Sequence, residues 1–246
     1  MQTTHPDNPG FAGRPVATIA TAAALVAVFI AQSAWDHGGV RTYLAMGGLV
    51  PAQALQGDLW QLLSYAVLHA GIQHIAGNMM GLLSLGSFCE RVIGSARFTA
   101  LLILAALGGA LACLVAPRPM VVTVGASGAI WGLIGMSTAL ALRPGGLIPP
   151  EARDNFRRNA VTNLVIQLVV SALPGVSAAA HIGGGLVGFV LMITGLLHPN
   201  ETEYGRDRRP PVAWVIAAAV LTLALAGCVA VAWVKGEPWA LGRNDV

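Results

Sequence analysis

The chain has 246 residues, 55% of them hydrophobic and only 10% charged, and its mean hydropathy is +0.68. That balance excludes an ordinary water-soluble domain and makes the bilayer the solvent of the chain. The net charge of +3 comes from basic residues in short connections between apolar runs, with no cluster wide enough to face nucleic acid.

A hydrocarbon core about 30 Å thick takes roughly 20 apolar residues at 1.5 Å rise each. After a tail at 1–15, the first candidate span is 16–35. A cleaved signal peptide competes with this reading, since Ala31 and Ser33 form a passable small-residue site, but the run is long and only Arg14 charges its n-region. Residues 36–71 are too broken by Gly and Pro to span, and their LWQLLSYAVL stretch reads as an interfacial helix partly sunk in the headgroups. Five further runs follow at 72–88, 98–115, 126–142, 156–173 and 178–197. A charged linker at 199–211, containing GRDRRPP, leads to a seventh at 212–234, and 235–246 form a tail on the opposite side from the N-terminus. The expectation is an all-α polytopic membrane protein: a six-helix core over 16–198 with an extra C-terminal transmembrane helix.

Seven spans assign every connection to a side. One side receives ten of the fourteen Lys and Arg residues (Arg14, Arg91, Arg97, Arg143, Arg153, Arg157, Arg158, Arg206, Arg208, Arg209), and the other receives Arg41, Arg118, Lys235 and Arg243. The positive-inside rule then puts the N-terminus in the cytoplasm and the C-terminus outside. Cys89, Cys113 and Cys228 sit in or beside apolar runs without metal-ligand spacing, so neither a metal, a cofactor nor a disulfide framework is called for.

Strongly polar groups inside a bilayer are expensive, so each invites a functional reading. Four stand out: His74 and Asn78 in HIAGNMMGLL, Ser127 in GASGA, and His181 in AHIGGGLVGF. The second, fourth and sixth spans all run from outside to inside, and these groups fall near their outer ends, at one depth. His74 and Asn78 are i and i+4, on one helix face. Each also has a structural reading: a membrane serine bonds its own i−4 carbonyl, and His or Asn glues helices together. Convergence of a nucleophile, a base and neutral donors at one depth favours chemistry. Gly128, Gly132 and Gly135 on the fourth span and Gly184 and Gly188 on the sixth form small-residue faces that let two backbones approach closely.

These residues resemble the rhomboid family of intramembrane serine proteases. The resemblance rests on three ordered blocks, His74-Ile-Ala-Gly-Asn78, Gly125-Ala-Ser127-Gly128 and Ala180-His181-Ile-Gly-Gly184 with Gly188 beyond, and it covers about 59–197. His69 completes the HxxxxHxxxN pattern of the family. The resemblance implies that Ser127 is the nucleophile and His181 its general base, a dyad without a carboxylate, with His74, Asn78 and the Ser127 backbone N–H stabilising the oxyanion. It further implies that Trp131, one turn after Ser127, supports the imidazole by stacking. An interfacial lipid-facing anchor is the other reading of that tryptophan. The substrates implied are membrane proteins cut in or near their transmembrane helix. A fourth span of about 16 residues reaches only about 24 Å, which would leave Ser127 below the surface in a cavity that water enters. Trp60-Gln61 departs from the family's frequent Trp-Arg, which removes a cation from the first loop. Two other classes compete: an inactive relative that binds membrane clients, which typically lacks the serine or histidine, and a small transporter, which would want an acidic relay near the midplane.

Overall fold

The structure is a computed structural model that describes residues 14–35, 39–116, 122–199 and 211–241. Helix α1, Val16–Ala34, starts after Pro15 with no side-chain cap of its own. Its first-turn N–H groups are instead satisfied from a distance. The buried Glu90 carboxylate accepts from the Ala17 N–H at 2.9 Å, the Thr18 N–H at 2.7 Å, the Thr18 hydroxyl at 2.7 Å and the Ser95 hydroxyl at 2.6 Å. A carboxylate removed from water is tolerable only with such a complement of donors, and the helix N-terminus adds its positive dipole end.

The first connection folds into α2 (Val40–Ala45), α3 (Pro51–Leu55) and α4 (Gln61–Ser64), the last continuing as a 3₁₀ turn at Tyr65–Val67. Much of this stretch is buried against protein. Tyr65 and Leu68 are almost inaccessible, and the Tyr65 hydroxyl donates to the Ala106 carbonyl at 2.8 Å. The reason lies in its polar side chains, which find partners inward: the Ser64 hydroxyl donates to the Gly47 carbonyl at 2.7 Å. Gln61 accepts from the Val50 N–H at 2.9 Å and donates to Gln53 Oε1 at 2.8 Å. A neutral amide thus ties this loop together.

The second span is continuous but not uniform. Helix α5 (Ile72–Gly81) passes through a π-helical turn at Leu82–Gly86 into α6 (Ser87–Ile93), ending at Gly94, whose φ of 83° only glycine adopts readily. Beyond it lie α7 (Ser95–Val115), α8 (Ser127–Leu142), a 3₁₀ turn at Pro150–Ala152, α9 (Arg153–Ser171), α10 (Ala178–Ile193) and α11 (Val212–Leu241). Several helices therefore start or end away from the edges of the apolar runs. A helix satisfies its own backbone and can extend into polar residues such as Arg153, while an apolar run can outlast its helix, as at 194–197.

The chain is an all-α polytopic membrane protein. Among the described residues α1, α7 and Val212–Val234 of α11 are each long and apolar enough to cross a membrane alone, while α8 and α10 are shorter apolar helices. At the centre α7, α8 and α10 pack against one another, and α8 is buried on nearly every side, as its uniformly apolar sequence requires. Glycine makes the close approach possible. A Cβ at Gly184 would fall on the Gly128 carbonyl, one at Gly188 on the Gly132 carbonyl, and one at Gly135 on the Gly185 carbonyl. These are backbone-to-backbone contacts, so no side chain can move aside to admit a methyl group. Helix α11 sits at the edge, along α7, α2 and α4.

Candidate active site

The site is built where α8 begins. Its approach is pinned by a pair of backbone bonds between Leu49 and Thr123, both 2.9 Å, and by the Gly125 N–H, which donates to the Tyr65 carbonyl at 3.0 Å. Gly125 takes φ +123°, and a Cβ there would stand 2.6 Å from His74 Nε2. Both the turn and the close imidazole require glycine. Two residues later Ser127 opens α8, half-buried, in the turn whose backbone N–H groups have no intrahelical partner.

His74 and Asn78 approach this turn from α5. The Ala70 N–H donates to His74 Nδ1 at 3.3 Å, so the neutral ring carries its proton on Nε2, the atom beside Gly125. Asn78 Nδ2 lies in the same place, 3.7 Å from where a Gly125 Cβ would be, and is buried without a hydrogen-bond partner. A buried amide donor left unpaired is uncommon and costly, and here it lies with a second donor beside Gly125, two residues before α8 begins.

His181 comes from the first turn of α10, whose start is capped by the Ser177 hydroxyl accepting from the Ala180 N–H at 3.3 Å. The glycine contacts between α8 and α10 bring these two first turns side by side: a Cβ at Gly128, next to Ser127, would lie 3.3 Å from the Ala180 carbonyl, next to His181. The buried imidazole stacks on Trp131, ring centroids 5.3 Å apart and planes inclined by 21°. Trp131 is itself only 5% exposed, which leaves no room for the reading as a lipid-facing anchor. On its other side, His181 Nδ1 lies 2.6 Å from the hydroxyl of Ser171, the last residue of α9. Ser127 and His181 do not share a hydrogen bond in this conformation; such bonds often tighten only when substrate is bound.

His69 lies behind His74, its ring edge-on at 5.2 Å between centroids and fully buried. Its backbone is held by Gln32 of α1, which donates from Nε2 to the His69 carbonyl at 2.6 Å and accepts the His69 N–H at 3.0 Å on Oε1. Burial, with a smaller contribution from neighbouring His74, pushes the His69 imidazole down to about 4. Gln32 and Ser171 are not among the site residues to which the sequence points. Gln32 was detectable as an amide within an apolar run. Ser171 was not, because a serine in the last turn of a helix is unremarkable. Among the described residues no group of three or more His, Cys, Asp or Glu is arranged to hold a metal.

The rhomboid-domain family model matches residues 56–198, more than half of the chain and all of these blocks. The chain belongs to the rhomboid family. Rhomboid protease GluP of Bacillus subtilis is 30% identical over 221 residues, covering 87% of this chain and 40% of that protein. RHOMBOID-like protein 5 of Arabidopsis thaliana is 34% identical over 173 residues, covering 70% of this chain and 55% of that one. Rhomboid protease AarA of Providencia stuartii is 27% identical over 200 residues, with 73% and 70% covered. The chain thus spans about half the length of the first two relatives. The rhomboid match extends across α5, α8 and α10, the three helices that converge on the site.

Proposed function

We propose that this rhomboid is an intramembrane serine endopeptidase that cleaves membrane-protein substrates in or near their transmembrane segment, using Ser127 and His181. The observation that carries the reading is the convergence on one helix N-terminus of a half-buried serine, a stacked histidine and two neutral donors, one of them unpaired. Two of the relatives bear the name rhomboid protease.

In this reading the Ser127 hydroxyl attacks the scissile carbonyl while its proton passes to His181 Nε2. The developing oxyanion is met by His74 Nε2–H, Asn78 Nδ2–H and the Ser127 backbone N–H, and each side-chain donor is worth about 3 kcal/mol in a water-poor site. The imidazolium rests against the face of Trp131, which offsets part of the absence of a carboxylate. It then protonates the leaving amine. Water entering the cavity hydrolyses the acyl-enzyme, with His181 again taking the proton. A substrate helix must unwind locally to present its carbonyl, since a helical peptide bond is engaged in its own hydrogen bonding. In this reading the protein sits in a plasma membrane, and the charge bias of the connections favours a cytoplasmic N-terminus with the site opening outward.

The test is cleavage of a tagged single-span substrate in liposomes by the parent, Ser127→Ala and His181→Ala proteins. We expect both variants to be inactive while retaining the parent's thermal midpoint. Equal cleavage by all three would remove Ser127 from the mechanism. A folded parent that binds single-span clients without cutting any of a panel would favour client retention over proteolysis.

A further inference from the structure

We propose that Ser171, at the end of α9, is a third member of the catalytic arrangement: a positioning residue that fixes the tautomer and orientation of His181. This rests on the assignment of His181 as the base. The argument is a count of protons. Ser171 Oγ lies 2.7 Å from the Gln167 carbonyl and 2.6 Å from His181 Nδ1. A carbonyl oxygen only accepts, so the single hydroxyl proton goes to Gln167. The Ser171 oxygen is then left with lone pairs alone to offer the imidazole, and the 2.6 Å contact requires the proton on Nδ1. Nε2 of the neutral ring is therefore bare. A general base facing Ser127 needs that tautomer, since a ring protonated on Nε2 has no lone pair there to take the serine proton.

The placement follows from the chain. Pro174 and Gly175 follow soon after the end of α9, the chain turns through 172–177, and α10 starts at Ala178. His181 in the first turn of α10 is thereby brought against the last turn of α9. Ser171 and His181 are 7% and 4% exposed, so water has little access to replace the hydroxyl if it is removed. The ring is then held on two sides, by the Trp131 face and by the Ser171 oxygen. As His181 takes the serine proton, the Nδ1–H···Oγ bond becomes one from a cation and strengthens, which is the part an acidic residue plays in a three-membered arrangement. A hydroxyl gives less charge stabilisation than a carboxylate, but it can be buried without the desolvation cost of an ion. A serine that merely returns its hydroxyl to the i−4 carbonyl would leave catalysis unchanged on removal.

The experiment pairs kinetics with a tautomer measurement on the full-length protein in liposomes or detergent. Ser171→Ala should lower kcat about tenfold or more, the size of one lost hydrogen bond to a charged group, with KM held. Ser171→Thr, which keeps the hydroxyl, should recover most of it. In the histidine-¹⁵N-labelled parent, the His181 resonances, identified by their loss in His181→Ala, should report protonated Nδ1 and bare Nε2. In Ser171→Ala that preference should disappear. Parent-like kcat in Ser171→Ala, or an Nε2-protonated His181 in the parent, overturns the proposal. Undiminished cleavage by His181→Ala instead overturns the dyad, and with it any catalytic role for Ser171, a result distinguishable because the tautomer is read independently of turnover.

Discussion

Two helix contacts in this molecule solve the same problem in opposite ways. Between α8 and α10 the backbones nearly touch, glycine against carbonyl at Gly128, Gly132 and Gly135 on one helix and Gly184, Gly185 and Gly188 on the other. Between α11 and the rest of the bundle the contact is made chiefly by aromatic rings. Trp233 stacks on Trp35 at 5.7 Å, the Arg97 guanidinium lies over Trp214 at 5.7 Å, and Ala232 fills the hollow beside Gly47. Lipid tails are as apolar as any side chain, so helices in a bilayer gain little from hydrophobic burial and must gain from packing and specific bonds. The glycine contact sets the relative position of two helices closely, because neither backbone can give. The aromatic contact tolerates adjustment. The first kind is found where the first turns that carry Ser127 and His181 lie side by side, the second along a peripheral helix.

The comparison is broken most severely at Gly188. A valine there would drive its Cβ into the Gly132 carbonyl, and the only relief is separation of α8 from α10. We expect Gly188→Val to cost more than about 4 kcal/mol, at the far end of single-substitution effects. The readout is the thermal midpoint in detergent together with loss of cleavage. A parent-like midpoint would show that the helices separate without penalty and that the glycines do not fix the site.

A second perturbation acts on the site's outer wall without mutation. The His69 ring, held at about 4 in the fold by burial, would titrate near 6.5 in an unfolded chain. Between those values the unfolded chain binds the proton and the folded one does not, so stability is complete above about pH 6.5 and is lost as pH falls toward about 4. The full loss is about 3 kcal/mol, read as a falling midpoint over that window. In His69→Phe the slope contributed by this ring should vanish. An unchanged slope would mean that other groups carry the acid sensitivity.

What was legible beforehand divides along the same line. The glycine spacing and the polar residues His74, Asn78, Ser127 and His181 are visible because they violate the expectations of an apolar span, and such violations survive in a one-dimensional reading. Partnerships made across the fold are invisible there. Nothing near Glu90 in sequence announces that it caps α1, 72 positions away at Thr18, and nothing near Gln32 announces the bond to His69. The segment around Tyr65 reads as interfacial because its composition is amphipathic, and only the carbonyls of Gly47 and Ala106 reveal that its polar atoms point into protein.

Trp131 tests the contact on the side of the proposed dyad with a smaller change. Its ring supports His181 by stacking, and its Nε1 has no hydrogen-bond partner, so the face of the ring carries the interaction. Trp131→Phe should retain most of the activity. Trp131→Leu should lose about 1 kcal/mol of transition-state stabilisation, roughly a fivefold fall in kcat/KM. Equal activity in both would mean that volume alone suffices, and that the imidazolium gains nothing from the aromatic face.

The smallest effect is expected at α11. Among its described side chains Ala232 is the buried one, and an exposed aromatic stack contributes about 0.5–1.5 kcal/mol. Trp233→Ala should therefore lower the thermal midpoint slightly and leave kcat unchanged. Truncation after Arg209 goes further, since it removes the Trp214 and Trp233 contacts together along with the Ala232 packing against the loop that carries Leu49. That loop reaches the site through the Leu49–Thr123 bonds, four residues before Ser127. If α11 is only an anchor, the truncated protein loses stability in proportion to its missing contacts and cleaves at the parent rate once folded. If kcat falls while Trp233→Ala remains unaffected, the helix acts as a brace for the first loop, and the tolerance of its aromatic contacts reflects two clamps that substitute for one another.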